Sequence, residues 1–279
     1  MKRITDINEL KKKAIDIRRD ILMMLEKAGS GHTGGSLSMV EILLSLYYQR
    51  MNIDCKDPGR RDRDKFVLSK GHGCPALYAV LADLGFFPRE ELWTLRKLGS
   101  RLQGHPQLGL PGLEISSGSL GQGLSIAAGF ALADKMDGIN ARVYCLMGDG
   151  ETNEGQVWEA AMTAAHYKLD NLCGIVDFNK LQIDGACCEV KDLGTYKEKW
   201  ENFGWHAVET GGHDFEALDK AFKECQKVKD RPQLIIAHTV KGKGVSFVEN
   251  KVEWHGIAPK KEELEKALEE LDEQKKELS

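Results

Sequence analysis

The sequence predicts an α/β fold: one domain, a parallel sheet with helices on both faces. Two observations carry this. Five short apolar runs of strand length recur at 66–69, 142–147, 172–178, 205–209 and 233–238. They are nearly continuous rather than alternating, the pattern of strands buried on both faces. Amphipathic stretches of helical length lie between them, at 120–135, 154–167 and 215–228, and such alternation builds a parallel sheet from crossover units.

Taken in order, Lys11, Lys12 and Lys13 read as the solvated face of a first helix. The first strand, FVLS at 66–69, runs into the glycine-flanked segment LSKGHGCPALYAVL. SGSLGQGLSIAAGFALA, 117–133, is a glycine-rich turn opening a helix with small residues along one face. The strand RVYCLM leads into GDGETNEGQVWEAA, and the strand LCGIVDF leads into DFNKLQIDG. At the end, 260–278 is highly charged with Leu264, Leu268 and Leu271 at helical spacing, a surface helix with one apolar stripe. There is no Pro/Gly/Ser-rich linker, internal repeat or low-complexity tract, so residues 1–279 read as a single domain.

Composition narrows the function. The 279 residues are 42% hydrophobic and 29% charged with a net charge of -4, enough apolar mass for a core and no basic stripe to neutralise a phosphate backbone. Nucleic acid is therefore not an expected partner. No apolar run approaches the roughly twenty residues that span a bilayer. Asp6 and Glu9 stand where a signal peptide would be uncharged, so a cytoplasmic location without membrane attachment is expected. Seven cysteines, at 55, 74, 145, 173, 187, 188 and 225, show no CxxC spacing and read mostly as small core residues in a reducing compartment.

Ligands of open α/β sheets bind beyond the carboxyl ends of the strands. GDG places Asp149 at one such end, and the next strand brings Asn179 to the same edge. Asp149 offers a carboxylate, Asn179 an amide oxygen, and the turn after it a backbone carbonyl from Leu181. These hard oxygen donors suit magnesium and leave positions for phosphate oxygens and water. By itself GDG is a tight turn in most proteins; the second strand ending in Asn makes it a ligand candidate. The Gly121 and Gly123 turn either permits tight helix packing or lets backbone amides approach an anion or a ring.

Four histidines sit in glycine contexts: His32 in SGHTGGSLS, His72 in SKGHG, His105 in GHPQ and His255 in WHG. Singly, each is an ordinary structural residue; together they point to one shared cleft. Imidazoles titrate near working pH. They can take a proton from a substrate hydroxyl and deliver one to a developing alkoxide.

With these strings in place, the chain resembles the N-terminal, diphosphate-binding part of the transketolases from about 15 to 255. The resemblance implies the thiamine-diphosphate-binding fold, thiamine diphosphate with Mg2+ (or Ca2+) as cofactors, and transfer of a two-carbon ketol unit between sugar phosphates of the pentose phosphate pathway. It carries metal ligation onto Asp149, Asn179 and the Leu181 carbonyl, and diphosphate contact onto Gly150. Gly118, Ser119 and Leu120 would touch the aminopyrimidine. His32 and His255 would flank the reacting hydroxyls, with His255 also at the cofactor. His105 would hold the terminal donor hydroxyl and His72 would sit near the diphosphate. Lys241 in HTVKGKGVSF matches a lysine beside the diphosphate, although a Lys in a glycine loop is commonly a solvated charge. Gly35 stands where some members have a cofactor-contacting serine, and Ser36 could replace it. His166, His206, His213 and His238 match no motif.

Full-length members continue with pyrimidine-binding and C-terminal domains, which supply the glutamate that hydrogen-bonds the pyrimidine. The resemblance therefore implies an α2β2 assembly with a separately encoded C-terminal subunit. Glu154 and Glu159 match interface carboxylates, or are acids favoured at a helix N-terminus. Two other readings remain open at this point. One is a different thiamine-diphosphate enzyme, acting on an unusual sugar or decarboxylating an α-keto acid; the other is a noncatalytic cofactor-binding subunit.

Overall fold

The computed structural model describes residues 3–278. Its strands are β1 (Lys65–Leu68), β2 (Val143–Gly148), β3 (Leu172–Phe178), β4 (Leu181–Gln182), β5 (Gly185–Ala186), β6 (His206–Gly211) and β7 (Gln233–His238). Five form one sheet in the order β1-β2-β3-β7-β6, parallel at every pairing. All five expected strands are present, two with the expected ends and three with ends shifted by a residue or two. Trp205, read as the start of a strand, instead buries its ring and donates Nε1–H to the Ala161 carbonyl at 3.0 Å. The hairpin of β4 and β5 was not expected, since two-residue strands leave no periodic signal.

The helices are α1 (Ile7–Ala28), α2 (Thr33–Leu37), α3 (Val40–Leu44), α4 (Cys74–Asp83), α5 (Gln122–Met136), α6 (Gly155–His166), α7 (Cys187–Lys191), α8 (Tyr196–Asn202), α9 (Phe215–Lys227) and α10 (Lys261–Glu277). Strand side chains alternate between two cores, as a two-residue period requires. Phe66, Leu68, Leu146, Ile175 and Ile235 face a core built with α1, α3, α4 and α9. Val67, Val143, Cys145, Met147, Val176 and Ile236 face a second core beneath α5, α6 and α8. Each such aliphatic side chain, fully buried, contributes about 1.5–3 kcal/mol. Both faces of the sheet are therefore covered, as the unbroken apolar runs require.

Helix ends follow local chemistry. Asp6 caps α1 by accepting the Asn8 amide at 2.8 Å, and Gly29 closes it at a φ of 67°. Asp214 caps α9 through the amides of Glu216 and Ala217. The terminal helix α10 packs on α1, with Lys275 Nζ at 2.5 Å from Asp16. It buries Ala267 and Leu271, whereas Leu264 and Leu268 are only half-buried. The buried stripe thus runs through Ala267 instead of Leu268, because the small alanine lets the helices approach closely. Among the described residues no helix is long and apolar enough to cross a membrane.

Candidate active site

The parallel register gathers strand ends. Gly148 of β2 pairs with Asp177 of β3, and Phe178 pairs with His238 of β7. The residues that follow, Asp149, Asn179 and Lys241, therefore leave the sheet at one edge, joined by His72 just past β1. A cavity of about 490 Å³ at that edge is lined by His32, His72, His105, His255, Asp149, Gly150, Asn179, Leu181, Lys241, Gly118 and Leu120. Ser119, between the last two, is exposed and does not line it.

Asp149 and Asn179 are 4% and 7% exposed. The Asp149 carboxylate accepts the amides of Gly150, at 2.8 Å, and of Lys180. Lys180 adopts a φ of 67°, and this left-handed turn aims its amide at Asp149 while Asn179 and Leu181 stand on either side. Asn179 Oδ1 accepts the Leu181 amide at 3.2 Å. The Leu181 carbonyl accepts from Lys241 Nζ at 3.1 Å. Burial, with Asp177 close by, pushes the Asp149 carboxyl up to about 6. A buried carboxylate short of compensating charge, beside an amide oxygen and a main-chain carbonyl, is a donor set that fits a hard divalent cation.

The four histidines converge on His32, whose ring centroid lies 5.1 Å from that of His72, 5.7 Å from His255 and 6.1 Å from His105. His72 and His255 stack at 5.3 Å. Burial, then neighbouring positive groups, lowers His32 to about 4 and His255 to about 3. His72 is held well below its usual value and His105 is lowered too, each chiefly by burial. All four rings are neutral near pH 7, each with one N–H donor and one bare nitrogen. Lys241 Nζ lies 2.8 Å from His255 Nδ1, so that nitrogen accepts and Nε2 carries the proton. Burial and then Lys70 lower Lys241 to about 8.

Sequence reasoning missed the support beneath these groups. Lys70, 1% exposed, donates to the Gly35 carbonyl at 2.9 Å and pairs with Asp177. Asp177, fully buried, also accepts the hydroxyls of Ser38 and Thr239. A charged residue inside the apolar run LCGIVDF was the available signal, since a buried charge needs partners. Glu151, 3% exposed, was likewise unread.

Ser36 does not replace the missing serine. Its hydroxyl is committed to the His32 carbonyl at 2.6 Å and it is fully buried. Gly35 has a steric reason: a Cβ there would stand 3.3 Å from His72 Nε2 and 3.5 Å from Lys70 Nζ. Gly118 is similar, with a φ of 144° and room for a Cβ only at 2.9 Å from the His105 ring. The remaining histidines lie elsewhere: His206 beside Glu224, His238 beside Glu209 and His213 beside Glu41. His166 packs on Tyr167. Glu154 and Glu159 are both exposed. All seven cysteines are free; Cys74, Cys145, Cys173 and Cys225 are buried, Cys55 and Cys187 half-buried and Cys188 exposed.

The family model described as transketolase, thiamine diphosphate binding domain, matches residues 10–277. The chain belongs to the transketolase family. Among relatives of this transketolase chain, an apulose-4-phosphate transketolase subunit of Phocaeicola vulgatus is 43% identical over 92% of this chain and 91% of its own length. The 6-deoxy-6-sulfo-D-fructose transketolase subunit SqwG of a Clostridium species is also 43% identical, over 95% of this chain and 96% of its own. Among solved structures, transketolase from Campylobacter jejuni superposes with a TM-score of 0.90 at 33% identity. The match covers 99% of this chain and 46% of that one. The transketolase chain thus corresponds in length to the separately named subunits and to about half of the Campylobacter chain.

Proposed function

We propose that this chain is the single-domain N-terminal subunit of a split transketolase. Together with a separately encoded C-terminal subunit, in an α2β2 assembly, it transfers a two-carbon ketol unit from a ketose phosphate to an aldose phosphate. The pyrimidine-binding and C-terminal domains belong to the partner, and the pentose phosphate pathway in the cytoplasm is the setting. The observation that carries this reading is the facing of four neutral histidines and the Asp149–Asn179 pair across one cavity.

In this reading the Asp149 carboxylate, Asn179 Oδ1 and the Leu181 carbonyl would hold Mg2+, or Ca2+, which would offset the charge of the diphosphate. Gly150, His72 and Lys241 border the diphosphate, and Gly118, Ser119 and Leu120 the aminopyrimidine. When bound, thiamine diphosphate supplies the nucleophilic carbon and electron sink that carbon–carbon cleavage next to a carbonyl requires. The bare nitrogen of His32 would accept a proton from a sugar hydroxyl, and the Nε2–H of His255, its Nδ1 held by Lys241, would donate to the developing alkoxide. His105 holds the terminal donor hydroxyl.

A second reading, the same transfer on an unusual ketose, is favoured by the names of the two relatives, whose substrates are apulose 4-phosphate and a sulfonated fructose. The test is copurification of the native complex followed by a ketol-transfer assay on phosphorylated, sulfonated and free sugars. Transfer from common ketose phosphates supports the first reading and transfer confined to a rare ketose the second. A complex that binds thiamine diphosphate yet transfers no ketol unit overturns both.

A further inference from the structure

Glu151 belongs neither to the metal donors nor to the histidines, yet three separate segments meet at its carboxylate. Oε1 accepts the Ser69 hydroxyl at 2.5 Å and the Gly121 amide at 2.9 Å. Oε2 accepts the Gly148 amide at 3.0 Å. Ser69 lies just past β1, Gly121 closes the turn 118–120 at the start of α5, and Gly148 ends β2 beside Asp149. Among the described residues the carboxylate has no ion-pair partner in contact, so these neutral donors and the more distant charge of Lys70 offset its desolvation only in part, and burial keeps the carboxyl above its usual value. The seam is tight: a Cβ on Gly123, the second residue of α5, would stand 2.3 Å from Ser69 Oγ.

The donors on Glu151 divide along the two halves of the cofactor proposed above. Gly121 controls the turn assigned to the aminopyrimidine, and Gly148 controls the turn assigned to metal and diphosphate. We infer that Glu151 is a positioning residue that locks the ring-facing turn 118–120 to the metal-side turn 148–150, so that the two halves of thiamine diphosphate are recognised as one unit. This rests on the proposed function. The physical gain is preorganisation: once the diphosphate end is seated, a fixed turn presents itself to the ring at high effective concentration, whereas a loose turn must be ordered at each binding event.

The test compares thiamine diphosphate with inorganic pyrophosphate, which lacks the ring, in the copurified assembly with Mg2+. Calorimetry on wild type, Glu151→Ala, Glu151→Gln and Ser69→Ala gives both dissociation constants for each protein. Glu151→Ala is expected to weaken thiamine diphosphate about tenfold or more while pyrophosphate changes less than about threefold. Glu151→Gln should recover only part of that loss, because its amide oxygen still accepts from Ser69 and Gly121 while its NH2 group faces the Gly148 amide and cannot accept from it. Ser69→Ala, which deletes one donor and leaves the acid, should weaken thiamine diphosphate about threefold, and it carries the test if the alanine variant fails to fold. Unchanged thiamine diphosphate affinity, or equal losses for both ligands, overturns the positioning role. A wild-type assembly that binds no thiamine diphosphate overturns the proposed function and the positioning role with it, a result distinct from either.

Discussion

Replacing Glu41 with glutamine tests how the loop 240–243, which brings Lys241 to the cavity, is held in place. Glu41 on α3 and Arg18 on α1 are 6% and 4% exposed and form a two-contact pair at 2.8 and 2.9 Å. Arg18 Nε also donates to the Lys243 carbonyl at 2.8 Å. His213 Nδ1 lies 2.9 Å from Glu41, and its Nε2 accepts the Val240 amide at 2.8 Å. The network therefore grips the backbone on both sides of Lys241. Burial alone would raise the Glu41 carboxyl; the Arg18 charge and the bonds from His213 and Arg18 override it and hold it at about 2 rather than 4.5. That displacement corresponds to about 3 kcal/mol at neutral pH, close to the usual cost of breaking a buried pair.

The pH dependence has a defined sign. A carboxylate whose folded value is depressed contributes fully above its unfolded value, near 4.5, and loses the contribution as pH falls towards about 2. Urea unfolding of wild type and Glu41→Gln should therefore differ by about 3 kcal/mol at pH 7 and at pH 5, with the gap narrowing at pH 4 and again at pH 3. Hydrogen exchange should show the Val240 amide less protected in the variant. A gap under about 1 kcal/mol at pH 7, or one that widens as the pH falls, would refute the reasoning.

Saturating thiamine diphosphate with Mg2+, at a hundred times its dissociation constant, should stabilise the wild-type assembly by about 3 kcal/mol. Thermal melts with and without a chelator should show that gain vanish on metal removal, and Asp149→Asn should lack it from the outset. His105→Ala should lower ketol transfer about a hundredfold while calorimetric cofactor affinity stays within about threefold. Transfer that survives this change would argue that the ring does not touch the sugar. Gly35→Ser should cost about 1 kcal/mol in a melting experiment, because the added Cβ presses on the His72 ring in a packed wall. An unchanged melting temperature would show that the His72 ring yields freely.

The sheet was legible because five buried strands keep their apolar runs unbroken, and the meeting of Asp149 with Asn179 at one sheet edge because GDG and DFN each end such a run. The four histidines were legible through their glycine neighbours, and the structure brings them within one cleft. Helix α4 was not, since Cys74 to Ala82 are buried on every side and an all-apolar helix has no amphipathic period. Leu268 was assigned to the stripe of α10 by spacing alone, where the approach of α1 favours Ala267. Ser36 misled because an exposed-looking hydroxyl near His32 gives no hint that it turns back on its own helix.

The larger omission is the set of buried acids. Asp177 meets Ser38 and Lys70 across 139 and 107 positions of chain, Glu151 meets Ser69 across 82, and Glu41 meets His213 across 172. No local pattern encodes partners so distant, because they become neighbours only when parallel strands align their ends. A buried acid inside an apolar or glycine-rich run is nonetheless a physical anomaly, since it folds only if donors from elsewhere reach it. Each of these carboxylates therefore specifies which segments must converge at the sheet edge, while the histidines and Asp149 with Asn179 specify what that edge can do once they have.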